Sequence, residues 1–322
     1  VISGFLVGGI TLERWRARGP NLRAYTSARL SRIYTVYFPA LLVGFVLDFI
    51  GLHWFNTSEL YTNSAQYQTL SLSTKVDAAL DLPTFISNLF MMQGILTSHF
   101  GSNGPLWSLA NEWWYYCVFA LIGTALTGSE QRHRATCAFL AVIISVLLPP
   151  KLMLWGIIWA LGIAAYAWIR SNHWRPHPAL GISLFILVLV GSRFTRNTSS
   201  DIDEATLMTE FTRDFILGIS YVVALASATR MKAAIPLARV HEHLAEFSFT
   251  AYLCHFPCML LLVAVGHQAF GINFLVQPDW RGLAYLCSIC ALLYGYAYLF
   301  FMATEKHTGV VRRKLDGLFF QD

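Results

Sequence analysis

The chain has 322 residues, of which 56% are hydrophobic and only 13% are charged. Soluble domains carry roughly 25% charged residues, so this composition excludes an ordinary soluble enzyme and predicts an integral membrane protein without a large soluble domain. We therefore interpret the net charge of +5 as a topology signal, not as a surface that binds nucleic acid.

The sequence begins at Val1 with an apolar run of ten residues. A membrane-spanning helix needs roughly twenty, so we expect this run to be the end of a helix that starts upstream, and the first transmembrane helix of the intact protein to be missing. Residues 11–32 are predicted to form a basic cytoplasmic loop. Arg29 and Arg32 in this loop are spaced i, i+3 and can bind a phosphate group together. The alternative is that they only mark topology and contact lipid headgroups.

Apolar segments of membrane-spanning length follow. The predicted spans are residues 33–52, 106–127, 135–150, 151–170, 178–194, 213–229, 244–266 and 282–303. Residues 84–98 are apolar but short and contain Asn88 and Gln93, so we predict a re-entrant or half-length segment. If this segment enters and leaves the membrane on one side, most of the 23 Lys and Arg fall in cytoplasmic loops, whereas a full crossing nearly removes that bias.

The pattern therefore predicts an all-α fold, a polytopic transmembrane helical bundle. We expect about nine spans here, the first one partial, with one re-entrant segment and about ten spans in the intact protein. Residues 1–322 are interpreted as a single integral membrane domain that lacks its first transmembrane helix.

One predicted helix carries a carboxylate inside an aromatic, apolar segment. A turn at residues 103–105 leads into this helix, where Ser108, Asn111, Glu112 and Tyr115 fall on one stripe at 3.6 residues per turn. A carboxylate within a membrane is a functional-site hypothesis by default. Glu112 is then a general acid or base, or a group that orients a histidine. The alternative is a structural carboxylate that is hydrogen-bonded to another helix.

A second candidate is a histidine in the span at 244–266. Ser248, Tyr252 and His255 are spaced i, i+4, i+7 and share a helix face. Histidine is suited to proton transfer near neutral pH, but a hydrogen bond between helices explains a lone histidine equally simply. His241 and His243 are spaced i, i+2, so they would point about 200° apart on a helix, and the segment is a predicted loop. We therefore predict no metal site there.

Four stretches of the chain, taken in order, resemble motifs of membrane-bound acyltransferase family 3. They are residues 2–6 (Ile-Ser-Gly-Phe-Leu), 28–34 (Ala-Arg-Leu-Ser-Arg-Ile-Tyr), 105–116 (Pro-Leu-Trp-Ser-Leu-Ala-Asn-Glu-Trp-Trp-Tyr-Tyr) and 248–257 (Ser-Phe-Thr-Ala-Tyr-Leu-Cys-His-Phe-Pro). The third is the most specific, and together they cover nearly the whole chain. Two departures stand out: Thr35 and Val36 replace the family's frequent proline, and the family's first span, with its catalytic histidine, is absent.

The resemblance implies an O-acyltransferase of the bacterial inner membrane. It implies transfer of an acyl group, most often acetyl, from acyl-CoA (acetyl-CoA) as co-substrate, with no tightly bound cofactor. The acceptor is a hydroxyl of a cell-surface glycan or lipid-linked saccharide, and the partners are the lipid bilayer, acyl-CoA and this acceptor. Glu112 and His255 are expected to be catalytic, and Arg29 and Arg32 to bind the CoA phosphates. The expected cavity residues are Trp107, Ser108, Asn111, Tyr115, Tyr116, Ser248 and Tyr252.

Two other functions fit parts of the pattern. A glycan or lipid transporter or flippase would suit the broken segment at 84–98, although no matching interrupted helix appears in the other half of the chain. A non-catalytic membrane scaffold, or an inactive truncated gene product, would suit the missing first span. Acyl-CoA-dependent modification of a glycan, as opposed to movement without modification, separates these hypotheses.

Overall fold

The computed structural model describes residues 1–66, 72, 75–171, 174–195, 204–231, 236–274 and 276–319. Within these residues the chain is helical and forms no β-strand. Five helical stretches are long and apolar enough to cross a membrane: Leu22–Trp54, Pro150–Arg170, Ala205–Ala228, Ser248–Phe270 and Trp280–Leu318. The fold is therefore the predicted all-α, polytopic helical bundle of an integral membrane protein.

The helices follow the predicted spans closely. They are α1 (Ile10–Arg18), α2 (Leu22–Trp54), α3 (Leu82–Leu89), α4 (Trp107–Thr127), α5 (Gln131–Leu147), α6 (Pro150–Arg170), α7 (Pro178–Phe194), α8 (Glu204–Ala228), α9 (Ala238–Glu246), α10 (Ser248–Phe270), α11 (Trp280–Ala303) and α12 (Thr308–Phe319). A π-helical turn, Gly4–Gly9, leads into α1. Although α4 has 21 residues, it is less apolar than the five long stretches because it carries Asn111, Glu112 and several Trp and Tyr side chains.

The prediction of a loop at residues 11–32 is wrong. The chain there is helical in α1 and in the first part of α2, and only residues 19–21 interrupt it. Gly19 has a φ of +81° and is followed by Pro20, a pair that ends a helix. Arginine, alanine and leucine are good helix formers, so the basic segment continues the helices beyond the membrane. The predicted loop around His241 and His243 is likewise helical, as α9.

The chain divides into two compact units. The first unit comprises Val1–Leu22 and Glu112–Ile235, and the second comprises Arg23–Asn111 and Pro236–Asp322. Each unit is built from two segments that are far apart in the sequence, so each is closed by contacts between early and late parts of the chain.

In the first unit, the N-terminal helical segment packs against α6 through glycine. A Cβ atom added to Gly162 would lie 2.0 Å from the carbonyl oxygen of Val1 and 2.4 Å from the backbone nitrogen of Phe5. A Cβ added to Gly4 would lie 2.0 Å from the Trp159 carbonyl oxygen. The two helices are therefore in backbone contact, an arrangement that membrane proteins favour because lipid supplies no hydrophobic force between helices.

A charged contact joins the same two segments at one end. Arg170 of α6 lies 3.1 Å, Nη2 to Oε1, from Glu13 of α1, and the Tyr166 hydroxyl also donates to the Glu13 carboxylate. The hydrogen bond from Tyr166, with Arg170 beside it, lowers the pKa of the Glu13 carboxyl below its ordinary value.

In the second unit, the segment predicted to be half-length is a helix of only eight residues, α3, followed by non-helical chain up to Gly104. Non-helical backbone at membrane depth is tolerated only where protein groups satisfy its hydrogen bonds. Asn88 does this for two groups of the stretch, in addition to a bond within its own helix. Its amide nitrogen donates to the carbonyls of Thr84 and Ser98, and its amide oxygen accepts from the Phe100 N–H at 2.9 Å.

Two helix-borne side chains hold the same stretch in place. Tyr37 of α2 is fully buried, donates to the Asn88 carbonyl at 2.7 Å and accepts from the amide of Gln93 at 3.1 Å. Asp48, also on α2 and 1% exposed, accepts the Ser102 N–H at 2.7 Å. The non-helical stretch is therefore fastened to α2 at both ends.

Replacing Asn88 with leucine is expected to lower the free energy of unfolding by about 2–4 kcal/mol, because the Ser98 carbonyl and the Phe100 N–H lose their partner. Unfolding of the purified protein in mild detergent, followed by tryptophan fluorescence, measures this loss. Asn63→Leu, at an exposed position, is the matched control and should change little. Equal stability of the two variants would contradict the role assigned to Asn88.

Candidate active site

The structure joins two of the predicted site motifs in the second unit. The Tyr252 hydroxyl of α10 lies 2.6 Å from Ser108 Oγ at the start of α4, and it donates to the Pro105 carbonyl. Because the phenol proton goes to the carbonyl, the serine hydroxyl donates to the Tyr252 oxygen. Ser108 and Tyr252 were each predicted as cavity residues, but the hydrogen bond between them is a finding of the structure.

The His255 ring is held in one orientation by its own helix. Its Nδ1 lies 2.9 Å from the Tyr252 carbonyl and 3.1 Å from the Ala251 carbonyl. Carbonyl oxygens only accept hydrogen bonds, so Nδ1 carries the proton in the neutral ring and Nε2 carries the lone pair. His255 therefore presents a proton-accepting nitrogen on the edge that faces away from its helix backbone.

A cavity of about 370 Å³ lies along α10 and α11. Three predicted site residues, Ser248, Tyr252 and His255, form its polar edge, as their shared helix face indicated. The opposite wall is largely apolar and includes Leu293 and Tyr294. A concave, mainly apolar pocket with a few convergent polar groups is the usual form of a small-molecule site.

Arg32, predicted to bind phosphate, forms an ion pair with a buried carboxylate in the second unit. Its Nη1 lies 2.5 Å from Oε1 of Glu305, whose side chain is 2% exposed. The other carboxylate oxygen of Glu305 accepts from the N–H and the hydroxyl of Thr250, near the start of α10. The guanidinium is also 5.1 Å from the centroid of the Phe249 ring. The arginine side chain is 48% exposed, so one face of it remains open to a ligand.

The pairing predicts a measurable coupling between Arg32 and Glu305. Arg32→Ala leaves a buried carboxylate without its cation, whereas Glu305→Gln keeps an acceptor for Thr250 and removes the charge. In a double-mutant cycle we expect a coupling of about 1 kcal/mol, because the exposed side of the arginine is screened by solvent. Unfolding in detergent measures each corner of the cycle, and Arg313→Ala at an exposed position is the control. Strictly additive effects would rule out the pairing.

Glu112 belongs to the first unit, where it is half-buried. One turn further along α4, the Tyr116 hydroxyl is 2.9 Å from Ser3 Oγ, which also accepts from the Trp159 indole at 3.1 Å. Residues 2–6 are therefore packed against the Glu112 helix, which joins the first and third predicted motifs.

The remaining predicted residues lie as follows. Tyr115 donates to the Leu152 carbonyl at 3.0 Å, so it supports the packing of α4 on α6. The Trp107 side chain is 57% exposed, and Asn111 is half-buried. The Arg29 guanidinium lies 5.8 Å from the centroid of the Tyr25 ring, one helix turn away on α2.

Two buried carboxylates were not predicted. Glu305 lies just beyond the last predicted span, and no local pattern indicates that it pairs with an arginine 273 residues earlier. Asp48 was overlooked although it sits inside a predicted span, where the rule applied to Glu112 would have found it. The Asp48 carboxylate accepts the Ser102 N–H, so its role is to hold the non-helical stretch in place.

These features define a class: an integral membrane protein with polar and ionisable groups on its long helices and a mainly apolar cavity beside one of them. A family model described as an acyltransferase domain matches residues 1–302. The chain therefore belongs to the acyltransferase 3 family, as the four motifs indicated, and the family supports acyltransferase activity. Comparison with curated proteins and with solved structures finds no match.

Proposed function

We propose that the protein transfers an acyl group, most often acetyl, from acyl-CoA to a hydroxyl of a cell-surface glycan or lipid-linked saccharide, in a bacterial inner membrane. The observation that carries the proposal is the His255 ring, held by backbone carbonyls so that Nε2 can accept a proton beside a small-molecule cavity. Membership of the acyltransferase 3 family supports the reaction class.

The reaction would proceed by attack of the acceptor hydroxyl oxygen on the thioester carbonyl carbon. A C–O bond forms, the C–S bond breaks, and the hydroxyl proton ends on the departing CoA sulfur after passing through a basic group of the protein. His255 is a candidate for that basic group, and Glu112 is a candidate to accept or balance the proton charge.

Two arginines of the second unit, Arg29 and Arg32, suit the phosphate groups of the donor. CoA carries phosphate groups, and arginine binds phosphate through paired N–H donors. Arg32 keeps an open face while Glu305 fixes its position, and Arg29 lies on the same helix one turn earlier. The polar side chains of the cavity would then meet the acyl-bearing part of the donor.

Membranes that contain the protein, incubated with isotopically labelled acetyl-CoA and the host's envelope glycans, test the proposal. We expect label in an alkali-sensitive ester on a glycan, and no label when the gene is deleted. Glycan that crosses the membrane without gaining mass would support the transporter hypothesis and overturn acyl transfer.

A further inference from the structure

We propose that a second cavity, between α7 and α8 of the first unit, binds the phosphate-bearing end of a lipid-linked saccharide and so holds this acceptor in the membrane. The inference rests on the proposed function, because it selects one of the two acceptor classes and assigns it a site. Its basis is the separation of the two helices, the order of apolar and polar side chains along them, and the hydrogen bonds that the polar ones already make.

The cavity lies where α7 and α8 have separated. A Cβ atom added to Gly181, near the start of α7, would lie 2.1 Å from the Ser227 hydroxyl oxygen of α8, so the two helices touch there. Gly191 lies about 15 Å further along α7, at 1.5 Å per residue. A Cβ added to it has no described atom within 4 Å. The cavity at this end has a volume of about 550 Å³, within the range of about 300–1,000 Å³ that is usual for ligand sites.

The side chains of the cavity change from apolar to polar along both helices. Val188 of α7 and Ile216 of α8 form the apolar end. The polar side chains follow toward the end of α7 and the start of α8; they are Ser192, Thr195, Thr209, Thr212 and Arg213. A lipid with an apolar chain and a polar headgroup has the same order of surfaces.

The charge distribution predicts which side of the membrane the polar end faces. Residues 170–177 and 229–239, which adjoin the opposite ends of the two helices, contain five Lys and Arg and no Asp or Glu. Basic segments of this kind are typical of the cytoplasmic side. The polar end of the cavity is therefore predicted to face outward, the side on which a lipid-linked saccharide for the cell surface is presented.

Three hydroxyl groups of the cavity have already used their protons. Ser192 Oγ donates to the Leu189 carbonyl at 2.7 Å, and Thr209 Oγ1 donates to the Ala205 carbonyl at 2.8 Å. Thr195 Oγ1 likewise donates to a carbonyl of its own helix. Each hydroxyl oxygen therefore presents lone pairs to a ligand. The hydroxyl groups of a sugar are donors that match these acceptors.

Arg213 adds a donor group in a fixed position. Its Nε and Nη2 each lie 3.0 Å from Oδ1 of Asp214, whose Oδ2 accepts from the Trp155 indole at 3.1 Å. Among the described residues the guanidinium donates to Asp214 alone, which leaves the Nη1 N–H groups for a ligand. Phosphate is the acceptor that arginine binds best. A sugar joined to a lipid through phosphate satisfies both the arginine and the hydroxyl oxygens.

Binding of radiolabelled farnesyl-phosphoryl-glucose to the protein in phosphatidylcholine nanodiscs tests the inference. Gly191→Trp fills the cavity from α7 and is expected to weaken binding by about tenfold or more. Gly295→Trp on α11 is the matched control, because a side chain there also meets no described atom, and it should bind as the wild type does. Thr209→Val keeps the shape of the side chain but removes its hydroxyl, and should weaken binding about fivefold. Thermal unfolding verifies that each variant is folded.

Two competitors separate the parts of the ligand. Farnesyl phosphate, which lacks the sugar, and phosphatidylglycerol should each displace the labelled lipid only at concentrations about tenfold higher than unlabelled farnesyl-phosphoryl-glucose. Phosphatidylglycerol that competes equally well would overturn the inference, because the cavity would then be an ordinary phospholipid site. Equal binding by the wild type and by folded Gly191→Trp would also overturn it, as would no binding to the wild type.

The outcomes also separate this inference from the proposed function, since binding is measured without acyl transfer. Transfer in membranes combined with normal binding by Gly191→Trp removes the cavity assignment and leaves the function intact. Weakened binding by Gly191→Trp, in a protein whose wild type transfers no acyl group to any glycan, keeps the lipid site and removes the proposed reaction.

Discussion

Glu112→Gln is expected to reduce acyl transfer by about 10²–10⁴-fold, the usual effect of removing a group that accepts or balances a proton. Glutamine has the same shape as glutamate but carries no charge and cannot accept a proton at neutral pH. Glu112 is half-buried, and the contacts of the neighbouring turn, Tyr116 with Ser3 and Trp159, do not depend on its charge. The fold should therefore be retained.

Transfer from labelled acetyl-CoA measures this effect in the protein expressed from its own gene. Size-exclusion chromatography and thermal unfolding verify that the variant is folded. Glu130→Gln, at an exposed carboxylate before α5, is the matched control and should keep full activity. Activity retained by a folded Glu112→Gln variant would remove Glu112 from the mechanism.

Gly162→Leu is expected to lower the free energy of unfolding by about 3–5 kcal/mol, and so to reduce the yield of folded protein. Any side chain at this position meets the Val1 carbonyl and the Phe5 nitrogen at well under 3 Å. Backbone atoms cannot rotate away as a flexible side chain can, so the N-terminal segment must separate from α6.

The control for this variant is Gly295→Leu on α11. A Cβ added at Gly295 has no described atom within 4 Å, so a leucine there points into open space. Unfolding in detergent should show normal stability for Gly295→Leu and a clear loss for Gly162→Leu. If both variants were equally stable, the backbone contact between the two segments would not exist in the folded protein.

The sequence predicted the helical spans well because length and apolarity decide what crosses a membrane. Residues 282–303 and α11, or 151–170 and α6, differ by only one or two residues at their ends. The predicted helix boundaries were wrong at residues 11–32, where a run of basic residues was interpreted as a loop. Charge determines which side of a membrane a segment occupies, but it does not end a helix; Gly19 and Pro20 do.

The candidate site residues remain predictions, and the structure adds how some of them are arranged. Helix periodicity placed Ser248, Tyr252 and His255 on one face, and they do line one cavity. Periodicity acts within a helix, so it could not reveal that Ser108 pairs with Tyr252 or that Arg32 pairs with Glu305. Such pairs depend on how distant helices pack, which a single sequence does not state.

The non-helical stretch after α3 also constrains the order in which the protein can be completed. The Asn103 side chain of this stretch donates to the Leu253 carbonyl at 2.8 Å, and the two residues are 150 positions apart. At about 5–20 residues per second, a ribosome needs roughly 8–30 s to make that length of chain. Throughout this interval the stretch can form its hydrogen bonds to α2, but Leu253 of α10 has not yet been made. Biogenesis of the second unit therefore includes a late docking step, after most of the first unit has already been synthesised.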